Sequence, residues 1–203
     1  LDRLMLHKLA KLITRIREAY SRYEYHTVYH SLHNYCVVEL SSFYLDIIKD
    51  RLYTFRAASS PRRGAQTVMF HTLTALVKLM APILTFTAEE VWQQLPEGSA
   101  EEGSIHLTQF PASQEAYEDE KLAERWEQVQ AVRSSVTKKI EEVRRQKLVG
   151  HSLDVQVHLY LSPPLYQLLD DIREEVSPLL IVSSTALHHY EEKPEDVPES
   201  EEV

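Results

Sequence analysis

The strongest constraint on this chain is the interval at which its apolar residues recur. Leu9, Leu12, Ile13, Ile16, Tyr20 and Tyr23 follow one another at steps of three and four. That spacing puts them on one face of an α-helix and predicts a first helix ending near Ser21. The pattern continues through Val28, Leu32, Tyr35, Cys36, Leu40, Phe43, Ile47 and Ile48, so a second long helix is expected over residues 25–50, with an apolar surface wide enough for two neighbours. Ser59, Ser60 and Pro61 favour a turn and a helix start, which places a third helix from residue 61 or 62 to residue 80. Pro82 has no amide hydrogen to donate and predicts a break. Thr87 stands three residues before Glu90, a capping-box spacing that predicts a short fourth helix ending near Leu95. Four such helices make an antiparallel bundle over residues 1–96.

The pattern changes beyond that point. Residues 97–117 read as a linker in which 104–108 is briefly extended. A helix is expected over 118–147, with Leu122, Trp126, Val129, Val132, Val136, Ile140 and Val143 along one side and Gly150 as its stop signal. Residues 153–160 alternate apolar and polar as a half-buried strand does, 163–175 are amphipathic and helical, and 179–182 and 186–190 suggest further strands. The fold class is therefore mainly α: a four-helix bundle followed by a small α+β module over 118–190. Residues 191–203, with seven acids and one lysine, read as an acidic disordered tail.

Composition removes several function classes. Four glycines (Gly64, Gly98, Gly103, Gly150) leave no glycine-rich cradle for a nucleotide's phosphates. The single cysteine, Cys36, supplies neither an internal disulfide nor a multi-thiolate zinc site and fits a reducing compartment. Without an apolar run of about eighteen residues or a signal-peptide pattern, no membrane role and a cytoplasmic location are expected. Leu1 opens directly in a helix without an initiator methionine, which reads as an excerpt of something longer. The net charge of −9 hides an asymmetry. Residues 1–95 carry 12 basic and 8 acidic side chains, residues 96–203 carry 10 and 23, and residues 133–147 concentrate six basic against two acidic. Loose nucleic-acid binding is disfavoured by the balance, but a local basic patch is not.

Two runs carry a resemblance. Residues 43–53 (Phe-Tyr-Leu-Asp-Ile-Ile-Lys-Asp-Arg-Leu-Tyr) and 80–92 (Met-Ala-Pro-Ile-Leu-Thr-Phe-Thr-Ala-Glu-Glu-Val-Trp), joined through Arg62-Arg63 and Gln66-Thr67 and resumed at 133–142 and 147–154, resemble the carboxy-terminal anticodon-binding region of bacterial-type isoleucyl-tRNA synthetases. The Ala-Pro-Ile-Leu element is shared with the sister valine and leucine enzymes, whereas the 44–51 run is more specific. The resemblance implies recognition of the anticodon arm of an isoleucine-accepting tRNA by a piece that performs no chemistry. Activation of isoleucine with ATP and magnesium, and editing, would belong to other domains of a parent chain. The family's His-x-Gly-His and Lys-Met-Ser-Lys-Ser signatures are absent from these residues, as are the four zinc-binding cysteines found in many members. The readings left open are a helical protein-interaction scaffold without RNA binding, or the equivalent domain of a valyl- or leucyl-tRNA synthetase.

Domains of this kind present a basic edge to the RNA backbone and a few side chains to unstacked bases. The candidate contacts are Arg56, Arg62 and Arg63, at a loop and helix start, and Lys138, Lys139, Arg144, Arg145 and Lys147 on the later helix. Asp46, Lys49, Asp50 and Arg51 are expected to pair within the bundle or at its rim and to fix the helix end from which the basic loop departs. His26, His30 and His33 recur at helical spacing but are expected to be partly buried structural residues, with no metal site. Trp92 and Trp126 are expected in the core. The acidic pairs Glu101-Glu102, Asp170-Asp171 and Glu174-Glu175 have no companion nucleophile and read as solubilising charge.

Overall fold

The structure, a computed structural model, describes residues 1–96, 98, 102–195 and 197. It divides into two compact units, Leu1–Asp119 and Glu120–Val203.

The first unit is helical. Helix α1 (Asp2–Ser21) buries Leu9, Leu12, Ile13 and Ile16 but leaves Tyr23 77% exposed. Tyr23 is the residue that stops the helix. It adopts φ 58° while its amide donates to the Tyr20 carbonyl (3.1 Å) and the Glu24 amide donates to the Ala19 carbonyl (2.8 Å). This is a Schellman turn closed by a tyrosine where glycine is usual.

The chain then returns through a rod that is not one regular helix. α2 (Tyr25–Asn34) passes into a π-helical stretch, Tyr35–Tyr44, then the single turn α3 (Leu45–Ile47) and α4 (Lys49–Tyr53). Tyr35 and Tyr44, nine residues apart, are both buried in this stretch, and Val37 and Val38 between them are left exposed. A wider turn keeps Tyr35 and Tyr44 on the same buried side.

Helix α5 (Ser60–Met80) runs parallel to α1, because Asp2 lies beside Gly64 at one end while the Tyr20 hydroxyl donates to the Leu79 carbonyl (2.8 Å) at the other. Helix α6 spans Thr85–Gln93. Thr87 is therefore inside it and is not its cap. The Met80 carbonyl accepts from both Ile83 and Leu84, and Leu84 takes the N-cap position three residues before Thr87, where the capping-box reading put it.

Residues 104–108 are not extended: Ile105–Leu107 form a 3₁₀ turn whose Ile105 is buried against α6. Glu89 fixes that turn, accepting from the Ser104 hydroxyl (2.7 Å) and the Ile105 amide (3.1 Å). The chain then follows α1 backwards, with Arg17 donating to the Pro111 carbonyl, Ser113 to the Ala10 carbonyl, and the Asp119 amide to His7 Nδ1. Hydrogen bonds from Ser104, Gln93 and the Ile105 amide, in the company of His106, hold the Glu89 carboxyl below its ordinary range. A depressed carboxyl stabilises the fold fully above the ordinary carboxylate range, and the gain drains as pH falls through the lower folded-state value. In acid titrations of stability, the gap between wild type and Glu89→Gln should therefore be widest near neutrality and close under acid.

The second unit pairs one long helix with a small sheet. Helix α7 (Glu120–Arg145) buries Trp126, Val129, Val132, Val136 and Ile140. Its stop is Lys147 (φ 60°), with the Leu148 amide donating to the Val143 carbonyl and the Lys147 amide to Arg144; Gly150 plays no part in that turn. Strand β1 (Gln156–Leu161) begins later than the alternation predicts, because 152–154 close a 3₁₀ turn. α8 (Pro163–Asp170) and α9 (Arg173–Leu180) lead to β2 (Ser184–His189), which pairs parallel with β1 from Gln156↔Ser184 to Leu161↔His189. Residues 179–182 are not a strand: Leu179 and Leu180 finish α9, and Ile181 turns left-handed at φ 56° to redirect the chain into β2. Of the expected disordered tail, Glu191 and Glu192 belong to a 3₁₀ turn (Tyr190–Glu192), while residues 196 and 198–203 lie outside those described.

Candidate functional site

Three of the cations expected to contact RNA, Arg56, Arg62 and Arg63, lie with Lys49 and Arg51 at one end of the first unit, where α1 begins, α4 ends and α5 begins. From residue 49 to residue 63 the chain carries five basic side chains and one carboxylate, Asp50. Their partners divide them into two kinds.

Lys49 and Arg51 are committed to the fold. The Lys49 ammonium bonds Asp46 at 2.6 Å across one turn, an exposed pair worth little to stability that lifts the Lys49 pKa above its ordinary value. Arg51 reaches beyond its own helix. Its Nη1 donates to Asp2 Oδ1 at 3.2 Å, and the same oxygen accepts from the Tyr44 hydroxyl at 3.1 Å. Tyr44 is fully buried, and that burial, reinforced by the neighbouring Asp2 carboxylate, pushes its phenol far above the ordinary range, so the hydroxyl is a permanent donor. Asp2 Oδ2 lies 3.0 Å from where a Cβ on Gly64 would stand, so the absence of a side chain at 64 lets α5 approach this group. Asp2 was not among the predicted residues. A partner 49 positions away leaves no local spacing to read. Asp50 is exposed and has no ion-pair partner among the described residues.

Arg62 is half-buried and donates from Nη1 to the Phe55 carbonyl at 2.9 Å, pinning the loop to α5. Arg56 and Arg63 are exposed, with no ion-pair partner among the described residues. They stand beside the first turn of a 21-residue helix, whose unbonded amides add to the positive potential. Two aromatic rings interleave with them: Tyr53 is 82% and Phe55 42% exposed.

The second patch is less open than its composition suggests. Lys139 bonds Glu142 at 2.9 Å and Arg144 bonds Glu141 at 2.6 Å, both within α7. Arg133 is half-buried, donating from Nε to the Leu179 carbonyl at the end of α9. Lys138, Arg145 and Lys147 are exposed.

Other candidates take the places their chemistry dictates. His26, His30 and His33 are exposed and not partly buried; Tyr29 lies against the rings of His30 and His33. Among the described residues no group of three or more potential ligands could hold a metal ion, and no helix is long and apolar enough to cross a membrane. Trp92 and Trp126 are both buried. Partial burial pushes the Cys36 thiol above its ordinary range, away from the reactive thiolate.

Known proteins resemble this chain along most of its length. Residues 2–159 match the family described as the anticodon-binding domain of tRNA ligase. The chain is 46% identical over 203 residues to an isoleucine–tRNA ligase of Geobacter sulfurreducens, covering 100% of this chain and 22% of that protein. It is 44% identical over 188 residues to that of Moorella thermoacetica (93% and 20%) and 41% identical over 203 residues to that of Desulforamulus reducens (100% and 22%). The chain thus spans about a fifth of the length of the curated relatives it matches.

Proposed function

The chain belongs to the family of anticodon-binding domains of tRNA ligases, and from that premise we propose that it recognises the anticodon arm of an isoleucine-accepting tRNA on behalf of a larger isoleucine–tRNA ligase. The single observation that carries the mode of binding is the uncompensated charge of Arg56 and Arg63 at the start of α5. Phosphate contacts from these two residues, and from Lys138, Lys139, Arg144, Arg145 and Lys147 on α7, would set the register of the RNA. Contacts to splayed bases would discriminate among anticodons. Arg62 contributes by holding the loop as well as by its charge, and Asp46, Lys49, Asp50 and Arg51 support the helix end beneath it. Joining isoleucine to tRNA with ATP is assigned to other parts of the parent protein, in a cytoplasmic setting.

The test is binding to isoleucine tRNA and to the same tRNA with a changed anticodon, at two salt concentrations, alongside Arg56→Glu/Arg63→Glu. Both residues are exposed, so the substitution should leave folding intact. The variant should bind more weakly, and its log–log salt slope should shrink by roughly 0.7 for each lost contact to single-stranded RNA. An unchanged slope in a folded variant removes these residues from the interface. Equal affinity for both tRNAs removes anticodon discrimination from this chain.

A further inference from the structure

We propose that Tyr53 is a base-stacking residue, offering its ring to one unpaired nucleobase of the bound RNA; this rests on the tRNA-binding reading above. Tyr53 ends α4 with 82% of its surface exposed. Such exposure gains the fold no burial, and the ring faces no other aromatic ring among the described residues.

Other exposed rings have structural explanations or different surroundings. Tyr23 closes a helix-stopping turn and meets Tyr25 edge-on, and Tyr29 lies against two histidines. Phe86, 89% exposed, also lacks a ring neighbour, but it sits at the opposite end of the bundle in the apolar run with Ile83 and Leu84. Tyr53 instead stands in a cationic setting. Lys49 is one helical turn behind it, and Arg56 and Arg63 follow without ion-pair partners.

The setting selects the ligand. An apolar protein surface closing over Tyr53 would strip water from Arg56 and Arg63 without returning an opposite charge. Single-stranded RNA matches both parts: its phosphates meet the guanidinium groups while a base, which always has a π-face, covers the phenol ring. Stacking needs no hydrogen-bond code, so Tyr53 adds affinity for an unpaired base with little preference for its identity. The ring, not the hydroxyl, supplies the contact.

The experiment measures affinity of the whole chain for an anticodon stem-loop of isoleucine tRNA, at two salt concentrations, for wild type, Tyr53→Ala, Tyr53→Phe, Tyr53→Trp and Arg56→Glu/Arg63→Glu. Tyr53→Ala should bind roughly 5- to 150-fold more weakly with an unchanged salt slope, because it removes a stacking contact and no charge. Tyr53→Phe should stay within about 2-fold of wild type, since the π-face is kept. Tyr53→Trp should bind, and its added exposed indole should be quenched by RNA. Wild-type binding that weakens in the arginine variant but not in Tyr53→Ala overturns stacking and leaves the tRNA reading standing. Loss of affinity in Tyr53→Phe equal to that in Tyr53→Ala also overturns it, because the hydroxyl would then be the contact. No binding by folded wild type overturns both readings.

Discussion

Trp92→Ala should lower stability by about 3–5 kcal/mol, the range for truncating a large buried aromatic residue. Trp92 is 2% exposed and centres a buried cluster of Val77, Ala81, Ala88 and Ile105, flanked by Met80, Val91 and Leu95. Its contribution has two separable parts. The ring fills the space between α5, α6 and the 3₁₀ turn at Ile105–Leu107, so its removal leaves a cavity that three packed elements cannot readily close. The indole N–H donates to the Glu102 carbonyl at 2.9 Å, next to the Gln93 amide that donates to the Gly103 carbonyl at 2.7 Å. Trp92→Phe keeps most of the ring and gives up the donor, and should cost about 1–2 kcal/mol. Urea denaturation followed by far-ultraviolet circular dichroism reads both. A Trp92→Ala loss below about 1 kcal/mol would mean that the chain from Glu102 onward can settle on α6 without the ring.

The helices were legible in the sequence because a step of three and four residues is a direct projection of helical geometry. Irregularities that preserve this appearance were not. A π-helical stretch with buried residues at 35, 43–44 and 47–48 produces an apolar pattern that reads as one broad α face, and Cys36 and Leu40, expected inside it, are only partly buried. Helix stops were missed for a different reason. Glycine is the usual left-handed residue, yet Tyr23, Lys147 and Ile181 hold that conformation here. Helix-closing hydrogen bonds, from the Glu24 amide to Ala19, the Leu148 amide to Val143 and the Val182 amide to Ser177, hold the turn at those positions in spite of the backbone penalty, and no glycine marks it. At the candidate site, composition locates Arg56, Arg62 and Arg63 without distinguishing the exposed pair from the one that fastens the loop. The local pairing rule finds Asp46 with Lys49, an exposed pair of little worth. It does not find Asp2 with Arg51, which only the fold brings together. Tyr53 carried a signal of its own, an aromatic residue in a cation-rich turn, that attention to charge alone passes over.

Asp2→Ala should cost about 2–4 kcal/mol, far more than loss of the Asp46–Lys49 pair, because the Asp2 carboxylate serves several elements at once. It opens α1, accepts from Tyr44 in the π-helical stretch and from Arg51 in α4, and faces the glycine that lets α5 approach. The Arg51 and Asp2 side chains are only 16% and 27% exposed, so water replaces the lost carboxylate poorly. The value stays below the full cost of breaking a deeply buried pair because that residual exposure lets some solvent in. Asp2→Asn separates charge from geometry: the amide oxygen can still accept from one donor, so it should lose about half as much as alanine. If the group is a structural hub, Asp2→Ala combined with Arg51→Ala should be less destabilising than the sum of the two single changes, with a coupling of about 1 kcal/mol or more. Additive losses would reduce Asp2–Arg51 to a surface pair. The basic loop between α4 and α5 would then owe its position to the Arg62–Phe55 hydrogen bond and the packing of its flanking helices.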